Sequence, residues 1–409
     1  MAAAAAPLPS DGFAARMAAF GPFPPAPRLA VGVSGGPDSL ALILLADAWA
    51  RARGGDALAL VVDHGLRPES AAEAAAVAAL LAARGIAAQL LRLPLQGGAR
   101  LQQRARAARL EALAEAAAAR GRPWLLLGHQ RRDQAETLAF RAARGSGDEG
   151  LAGIPPLRRE GGVLLCRPLL GEPPEALEAV CAAAGVTPVR DPSNRDPRFA
   201  RVRLRAALDP AQEEALAAAA RAAAARRAAL EAAVAGRLAD AAAWHPAGAV
   251  RLDPAALGRD ATARAALARL VVAVSGASAP PSPAAAARLL SAGQGSLGGA
   301  VWRGRWLLRE ASLCAPPVAA LPGAVWDGRW RLDGAGDPVA EIGALGPSPA
   351  LRARAPGLPA AALAALPAVR RGGALVAVPP LSWPDAATAA RFALRFDPCL
   401  PLERGFSGF

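Results

Sequence analysis

From Arg28 onward, short apolar runs alternate with helix-forming stretches, and this alternation restricts the fold more than any other feature of the chain. RLAVGVS leads into a helix opened by Pro37, DALALVVDH into a helix from Glu69, and AAQLLRL into a helix from Ala99 to Arg120; PWLLLGH precedes a helix from Arg131. Strands separated by whole helices cannot pair as hairpins. They form βαβ units, whose parallel strands are covered by helices on both faces. The expected class is therefore α/β, with a doubly wound parallel sheet. Such sheets bind ligands outside the carboxyl ends of their strands, where VSGGPDS, VDHG and LGHQRRDQ fall.

At 409 residues the chain exceeds one ordinary core, since domains average roughly 150 residues. Three parts are expected: 1–205, the strand–helix region; 206–315, a helical linker and small α+β domain; and 316–409, a small mixed segment. Asp209 to about Trp244 is Ala-rich with Arg and Glu, lacks Pro after Pro210, and reads as one long helix. Strand-like runs with Trp and Gly follow at SLGGAVWRGRWLLRE, GAVWDGRWRLDG and GALVAVPPL.

Alanine lifts the apolar fraction to 53%, yet no run approaches the ~20 apolar residues of a membrane span. MAAAAAPLPSDGF has neither the basic flank nor the apolar core of a secretory signal, so a cytoplasmic location without membrane attachment is expected. All 47 basic residues are arginine. Without lysine, a Walker-type phosphate lysine, a Schiff base and a lysyl-adenylate are excluded. The net charge of +13 suits a polyanionic partner, although codon bias would also enrich arginine. Cys166, Cys181, Cys314 and Cys399 form no CxxC, so neither a zinc knuckle nor an iron–sulfur site is expected.

In VSGGPDS the strand ends at Ser34, Gly35 and Gly36 allow close backbone approach, and Pro37 presets the first helical turn. The helix N-terminus then offers N–H groups, beside the Ser34 and Ser39 hydroxyls, to an anion such as the β and γ phosphates of ATP. Asp38 belongs beside phosphates only if it holds Mg²⁺. A loop that grips β and γ phosphates leaves the α phosphate open to attack, so adenylation with loss of pyrophosphate is the expected reaction. In GHQRRDQAET, His129, Asp133 and Glu136 fall at i, i+4 and i+7, the spacing of one helical face. His64 and His129, two of the three histidines, stand at strand ends. Arg106 and Arg109 share a helical flank suited to phosphates or to solvent, and DPSNRDPRFARVRLR holds the single asparagine, Asn194, in what also reads as an ordinary turn.

Five ordered motifs carry a resemblance: SGGPDS at 34–39, VDHGLR at 62–67, RARAARL at 104–110, GHQRRDQAET through RGSG at 128–147, and RDPSNRDPRFARVRLR at 190–205. The chain resembles the tRNA(Ile)-lysidine synthetases of the N-type ATP pyrophosphatase superfamily. The resemblance implies a PP-loop domain over 1–205. It further implies a carbon–nitrogen ligase that adenylates C2 of the wobble cytidine in a CAU-anticodon isoleucine tRNA and then lets the ε-amine of free lysine displace AMP. Ser34, Gly35, Gly36, Pro37, Asp38 and Ser39 would bind ATP; Asp38, His129, Asp133 and Glu136 would be catalytic, with Asp38 and Asp133 near Mg²⁺ and Glu136 meeting the lysine ammonium. Arg106, Arg109, Asn194, Arg201 and Arg205 would face tRNA, and a homodimer is compatible. Leu110 stands where an aromatic commonly follows, Arg132 where a second acidic residue is frequent, and a tryptophan often near DPSN is absent. Three rivals are a tRNA thiolation enzyme, which needs paired cysteines, a small-metabolite synthetase, which leaves the basic charge unexplained, and an inactive arginine-rich RNA-binding module.

Overall fold

The computed structural model describes residues 6–63, 70–93, 101–143, 153–160, 162–189, 203–204 and 207–397, the side chains of 101–106 excepted. The chain divides between Ala228 and Ala229 into two compact units.

The first unit opens with α1 (Ser10–Ala18) and continues through β1 (Arg28–Val33), α2 (Pro37–Arg51), β2 (Asp56–Asp63), α3 (Ser70–Ala82), β3 (Ala87–Arg92), α4 (Leu101–Ala119), β4 (Trp124–Leu127) and α5 (Arg131–Ala142). A hairpin, β5 (Leu157–Glu160) and β6 (Val163–Cys166), and α6 (Pro174–Ala183) follow. Six strands form one sheet in the order β3-β2-β1-β4-β6-β5, parallel except for β5. This is the expected α/β sheet with one antiparallel edge. Alternation along each strand sends neighbours to opposite faces: Leu29, Val31 and Val33 join one core with Leu40, Ile43, Val77 and Leu177, while Ala30 packs with Leu58, Leu60, Leu113 and Leu165 in another. Burying each Leu or Val contributes about 1.5–3 kcal/mol. The strand reading missed the hairpin, because Arg158, Arg159 and Glu160 give β5 no apolar run.

The long helix α7 (Pro210–Ala241) begins where the sequence predicts. Asp209 accepts from the Gln212 N–H at 2.8 Å while its own N–H donates to Gln212 Oε1 at 3.1 Å, a reciprocal cap. Its end comes earlier than predicted. Ala242–His245 is strand β7, whose aromatic residues Trp244 and His245 suit an extended chain and pair antiparallel with β8 (Ala249–Leu252).

The second unit continues with α8 (Pro254–Leu257), α9 (Ala261–Ser275), α10 (Pro283–Ala292), β9 (Gly295–Leu297), β10 (Ala300–Arg303) and β11 (Trp306–Arg309), closing a sheet ordered β7-β8-β11-β10-β9. Leu267, Leu270, Val274, Trp302 and Leu307 fill its core. Beyond it lie β12 (Val318–Ala320), β13 (Val325–Trp326), β14 (Trp330–Leu332), β15 (Asp337–Ala344), α11 (Ala360–Ala364), β16 (Pro367–Arg371), β17 (Ala374–Ala377), α12 (Ala386–Arg391) and β18 (Leu394–Phe396). They make sheets β12-β15-β16-β17 and β13-β14-β18 around Trp326, Trp330, Leu366 and Phe392. Among the described residues no helix is long and apolar enough to cross a membrane.

Candidate active site

Strand β1 leads to β2 on one side, whereas β4 returns on the other, so the strand order reverses between β1 and β4. Crevices open at such points beyond the strand ends. The loop after β1 supplies Ser34, Gly35 and Gly36 to this crevice, and the loop after β4 supplies Gly128 and His129.

Gly35 adopts φ +83°, and a Cβ there would lie 2.8 Å from Val77 Cγ2 on α3; the backbone conformation and the packing both demand glycine. The Val189 N–H donates to the Gly35 carbonyl at 2.9 Å and anchors the loop from the far side. Gly36 is the N-cap residue of α2, extended and without a side chain to accept from the first turn, and Pro37 opens the helix. The N–H groups of Asp38 and Ser39 lie within the first turn, before intrahelical bonding begins, the position from which such groups can cradle an anion. The Ser39 hydroxyl has partners within the loop itself. Buried, it donates to the Gly36 carbonyl at 3.1 Å and accepts from the Ser34 N–H at 3.1 Å, so it ties the loop together, while Ser34 is exposed. Asp38, in the first turn beside the cradle, is half-buried.

The two loops touch. A Cβ on Gly128 would stand 3.0 Å from the Asp38 carbonyl carbon and 3.1 Å from Ser39 Cα, so the β4 loop lies directly against the first turn of α2. The expectation that His129, Asp133 and Glu136 share one helical face needs correction. Helix α5 begins at Arg131; Gln130 is its extended N-cap residue, and His129 precedes it, donating its N–H to the Leu127 carbonyl. The cause is a capping box: Gln130 Oε1 accepts from the Arg132 N–H at 2.6 Å and Asp133 Oδ2 accepts from the Gln130 N–H at 3.0 Å. Asp133 and Glu136 remain on one helical face, Asp133 half-buried and Glu136 buried. His129 is half-buried, and the Arg167 guanidinium donates to its Nδ1 at 3.3 Å.

Arg167, just past β6, went unnoticed in the sequence, as did Gln130 and Gly128; only the placement of RPLL after a strand end could have flagged the arginine. Arg131 and Arg132 are ion-paired to the first turn of α7, Arg131 to Glu214 at 2.7 Å and Arg132 to the buried Glu213 at 2.6 Å. Burial pushes the Arg132 guanidinium down, but the Glu213 hydrogen bond and charge outweigh it and leave its pKa raised. Arg109 lies on α4, its pKa lowered by burial. Arg106 is on the same helix with its side chain outside the described residues, and Asn194, Arg201, Arg205 and His64 also lie outside them. Asp63, at the end of β2, accepts from Ser70 Oγ at 2.6 Å. Cys166, Cys181 and Cys314 are free thiols; burial pushes Cys166 to about 12 and Cys181 to about 11, unsuited to a sulfur carrier, which reacts as thiolate.

Residues 11–212 match the family model described as a PP-loop domain. The chain is similar to the tRNA(Ile)-lysidine synthase of Novosphingobium aromaticivorans, 50% identical over 184 residues that cover 44% of this chain and 56% of that protein. It is also similar to the enzyme of that name from Hyphomonas neptunium, 50% identical over 44% of this chain and 50% of that one. With the one from Methylobacterium nodulans it shares 42% identity over 54% and 64%. The chain thus spans about half the length of the curated relatives it matches. Among solved structures it is similar to a U34-tRNA thiolase from Methanococcus maripaludis, at 16% identity and a TM-score of 0.44 over 51% of this chain and 76% of that one.

Proposed function

The chain carries a PP-loop domain of the N-type ATP pyrophosphatase fold over residues 11–212, and from that premise we propose that it is a tRNA(Ile)-lysidine synthetase, a cytoplasmic ATP-dependent carbon–nitrogen ligase. One observation carries the reading: at the switch point the start of α2, which follows Ser34–Gly36, packs against the Gly128 loop that holds His129 and leads into α5 with Asp133 and Glu136. A nucleotide held there by its β and γ phosphates presents its α phosphate to those polar groups.

The C2 carbonyl oxygen of the wobble cytidine of a CAU-anticodon isoleucine tRNA attacks the α phosphorus, and pyrophosphate leaves. The ε-amine of free lysine, once deprotonated, attacks C2 and releases AMP. The cradle N–H groups and Ser34 bind the departing pyrophosphate. Glu136, a buried carboxylate, pairs with the lysine ammonium and takes its proton. Among the described residues no cluster of three or more ligating side chains exists. Mg²⁺ fits nevertheless, since it commonly takes one or two carboxylates and completes its shell with phosphate oxygens and water. Asp38 and Asp133 would hold it, and bound there it would neutralise phosphate charge. Residues 1–205 are assigned the chemistry and 206–315 contacts with tRNA, joined by Arg106, Arg109, Asn194, Arg201 and Arg205.

The test is incubation with ATP, radiolabelled lysine and total tRNA. Label entering one isoleucine tRNA with stoichiometric AMP release is the expected result. Modification driven by a sulfur donor instead, or tRNA binding without AMP, would replace the reading with thiolation or with an inactive RNA-binding module.

A further inference from the structure

Among the described residues of the first unit, Arg167 and Arg122 are the buried arginines; Arg167 is 6% exposed and held from two directions. Its N–H donates to the Pro156 carbonyl at 2.8 Å, and its Nη1 donates to the Pro155 carbonyl at 2.7 Å. The guanidinium that remains points its Nε–H at His129 Nδ1, 3.3 Å away. A guanidinium has donors and no acceptor and keeps its protons across the working pH range. The imidazole nitrogen facing it must therefore be an acceptor with its lone pair intact. This excludes the imidazolium, in which both nitrogens carry protons, and leaves the neutral ring with its hydrogen on Nε2.

We propose that Arg167 is a positioning residue that fixes His129 as the neutral Nε2–H tautomer, so that His129 meets the nucleotide as a hydrogen-bond donor and not as a cation or a proton acceptor. The ring is already fixed at its base, because the His129 N–H bonds to Leu127 and Gln130 caps α5 immediately after it. Arg167 adds a constraint on ring rotation and protonation. A neutral donor contributes where charge develops without having to shed a bound proton during turnover. The donor role rests on the reading of this crevice as the ATP site; the tautomer does not.

The chain has only three histidines, so a long-range proton–nitrogen spectrum of the full-length protein labelled with nitrogen-15 histidine resolves them, His129 being assigned by its loss in His129→Asn. Near neutral pH the expected pattern is a pyridine-like Nδ1 and a protonated Nε2. In Arg167→Met that pattern gives way to mixed tautomers, and kcat for tRNA-dependent AMP release falls by about tenfold or more while KM for ATP moves by less than about threefold. Arg167→Lys, which restores a cationic donor, recovers part of both signals and controls for misfolding. An imidazolium or an Nδ1-protonated ring in the wild type, or an unchanged His129 pattern in Arg167→Met, overturns the proposal. The expected spectrum in a protein that releases no AMP would instead overturn the functional reading and leave the tautomer standing.

Discussion

Gly35 and Gly36 are neighbours with opposite tolerances. Gly35 sits at φ +83° with Val77 Cγ2 2.8 Å from where a Cβ would stand, whereas Gly36 has φ −73° and only Ser34 Oγ, at 3.7 Å, near its hypothetical Cβ. Gly35→Ala must therefore cost about 1–2 kcal/mol in backbone strain plus a packing shift, and thermal melting should show a clear fall in Tm. Gly36→Ala should melt within about a degree of the wild type yet raise KM for ATP, because the added methyl stands between backbone and phosphate. Equal effects from both would mean that the second glycine serves the fold and not the ligand. At this scale the sequence pointed to the two loops that meet at the switch point but not to Arg167, nor to the bonds each residue makes. Ser39 reads as part of the phosphate site in SGGPDS, and the structure adds that its hydroxyl is bonded within the loop. His129 reads as helical by its spacing to Asp133, and Gln130 takes it out of phase by capping α5 first. Spacing carries no information about which residue a cap will choose.

Elements were legible where apolar runs made them so, and β1 to β4 lie where the runs place them. Strands β5 and β7 were hidden because their pairing partners, not their own composition, make them strands. Ion pairs between elements were hidden for the same reason. Arg132 reads as a departure from the resembled family; it is in fact paired across to Glu213 on α7, with Glu175 of α6 at 3.2 Å. Arg132→Glu sets its new carboxylate beside a buried one and should destabilise the protein by roughly 2–3 kcal/mol in urea titrations, allowing for the partial exposure of Arg132. Adding Glu213→Arg should restore most of that loss; no recovery would mean that the pair does not join the two helices. In the second unit the buried carboxylate of Asp327 accepts from Arg309 at 2.8 and 2.9 Å and from Arg329 at 2.6 Å, binding the end of β11 to the turn between β13 and β14. Burial pushes this carboxyl up, but the Arg309 hydrogen bonds and the Arg329 charge outweigh it and hold its pKa low. A group lowered on folding stabilises fully above its unfolded pKa near 4 and loses that contribution as pH falls toward the folded value. Melts taken downward from about pH 5 should therefore show an acid limb that flattens in Asp327→Asn, which also loses about 3–5 kcal/mol by leaving two arginines without their carboxylate.

For the molecule as a whole, the first unit could be read from its sequence because a parallel sheet writes itself as a local alternation, repeated strand by strand. The second unit could not be read to the same depth, since its three antiparallel sheets join strands by register, and β14 pairs with β18 more than 60 residues away. Short strands such as Val325–Trp326 carry too little pattern to announce themselves. Net charge is the one whole-chain property that sequence gives completely, and it supports a prediction of its own. The +13 charge resides entirely in arginine on the basic side, and arginine favours bidentate phosphate contacts over diffuse attraction. If codon bias alone explains it, tRNA affinity should depend weakly on ionic strength. If the arginines form a phosphate footprint, each neutralised phosphate releases counterions, and six or so contacts would cost about a thousandfold in affinity between roughly 50 and 200 mM salt. We expect the steep slope for tRNA binding by the full chain. Substituting Arg201 or Arg205 with glutamine should reduce the slope by about one contact each, whereas substituting Arg329, which is buried against Asp327, should lower stability and leave the slope of the folded fraction unchanged. A shallow slope in the wild type would return the charge to genome composition and leave the similarity to tRNA(Ile)-lysidine synthases as the support for a tRNA substrate.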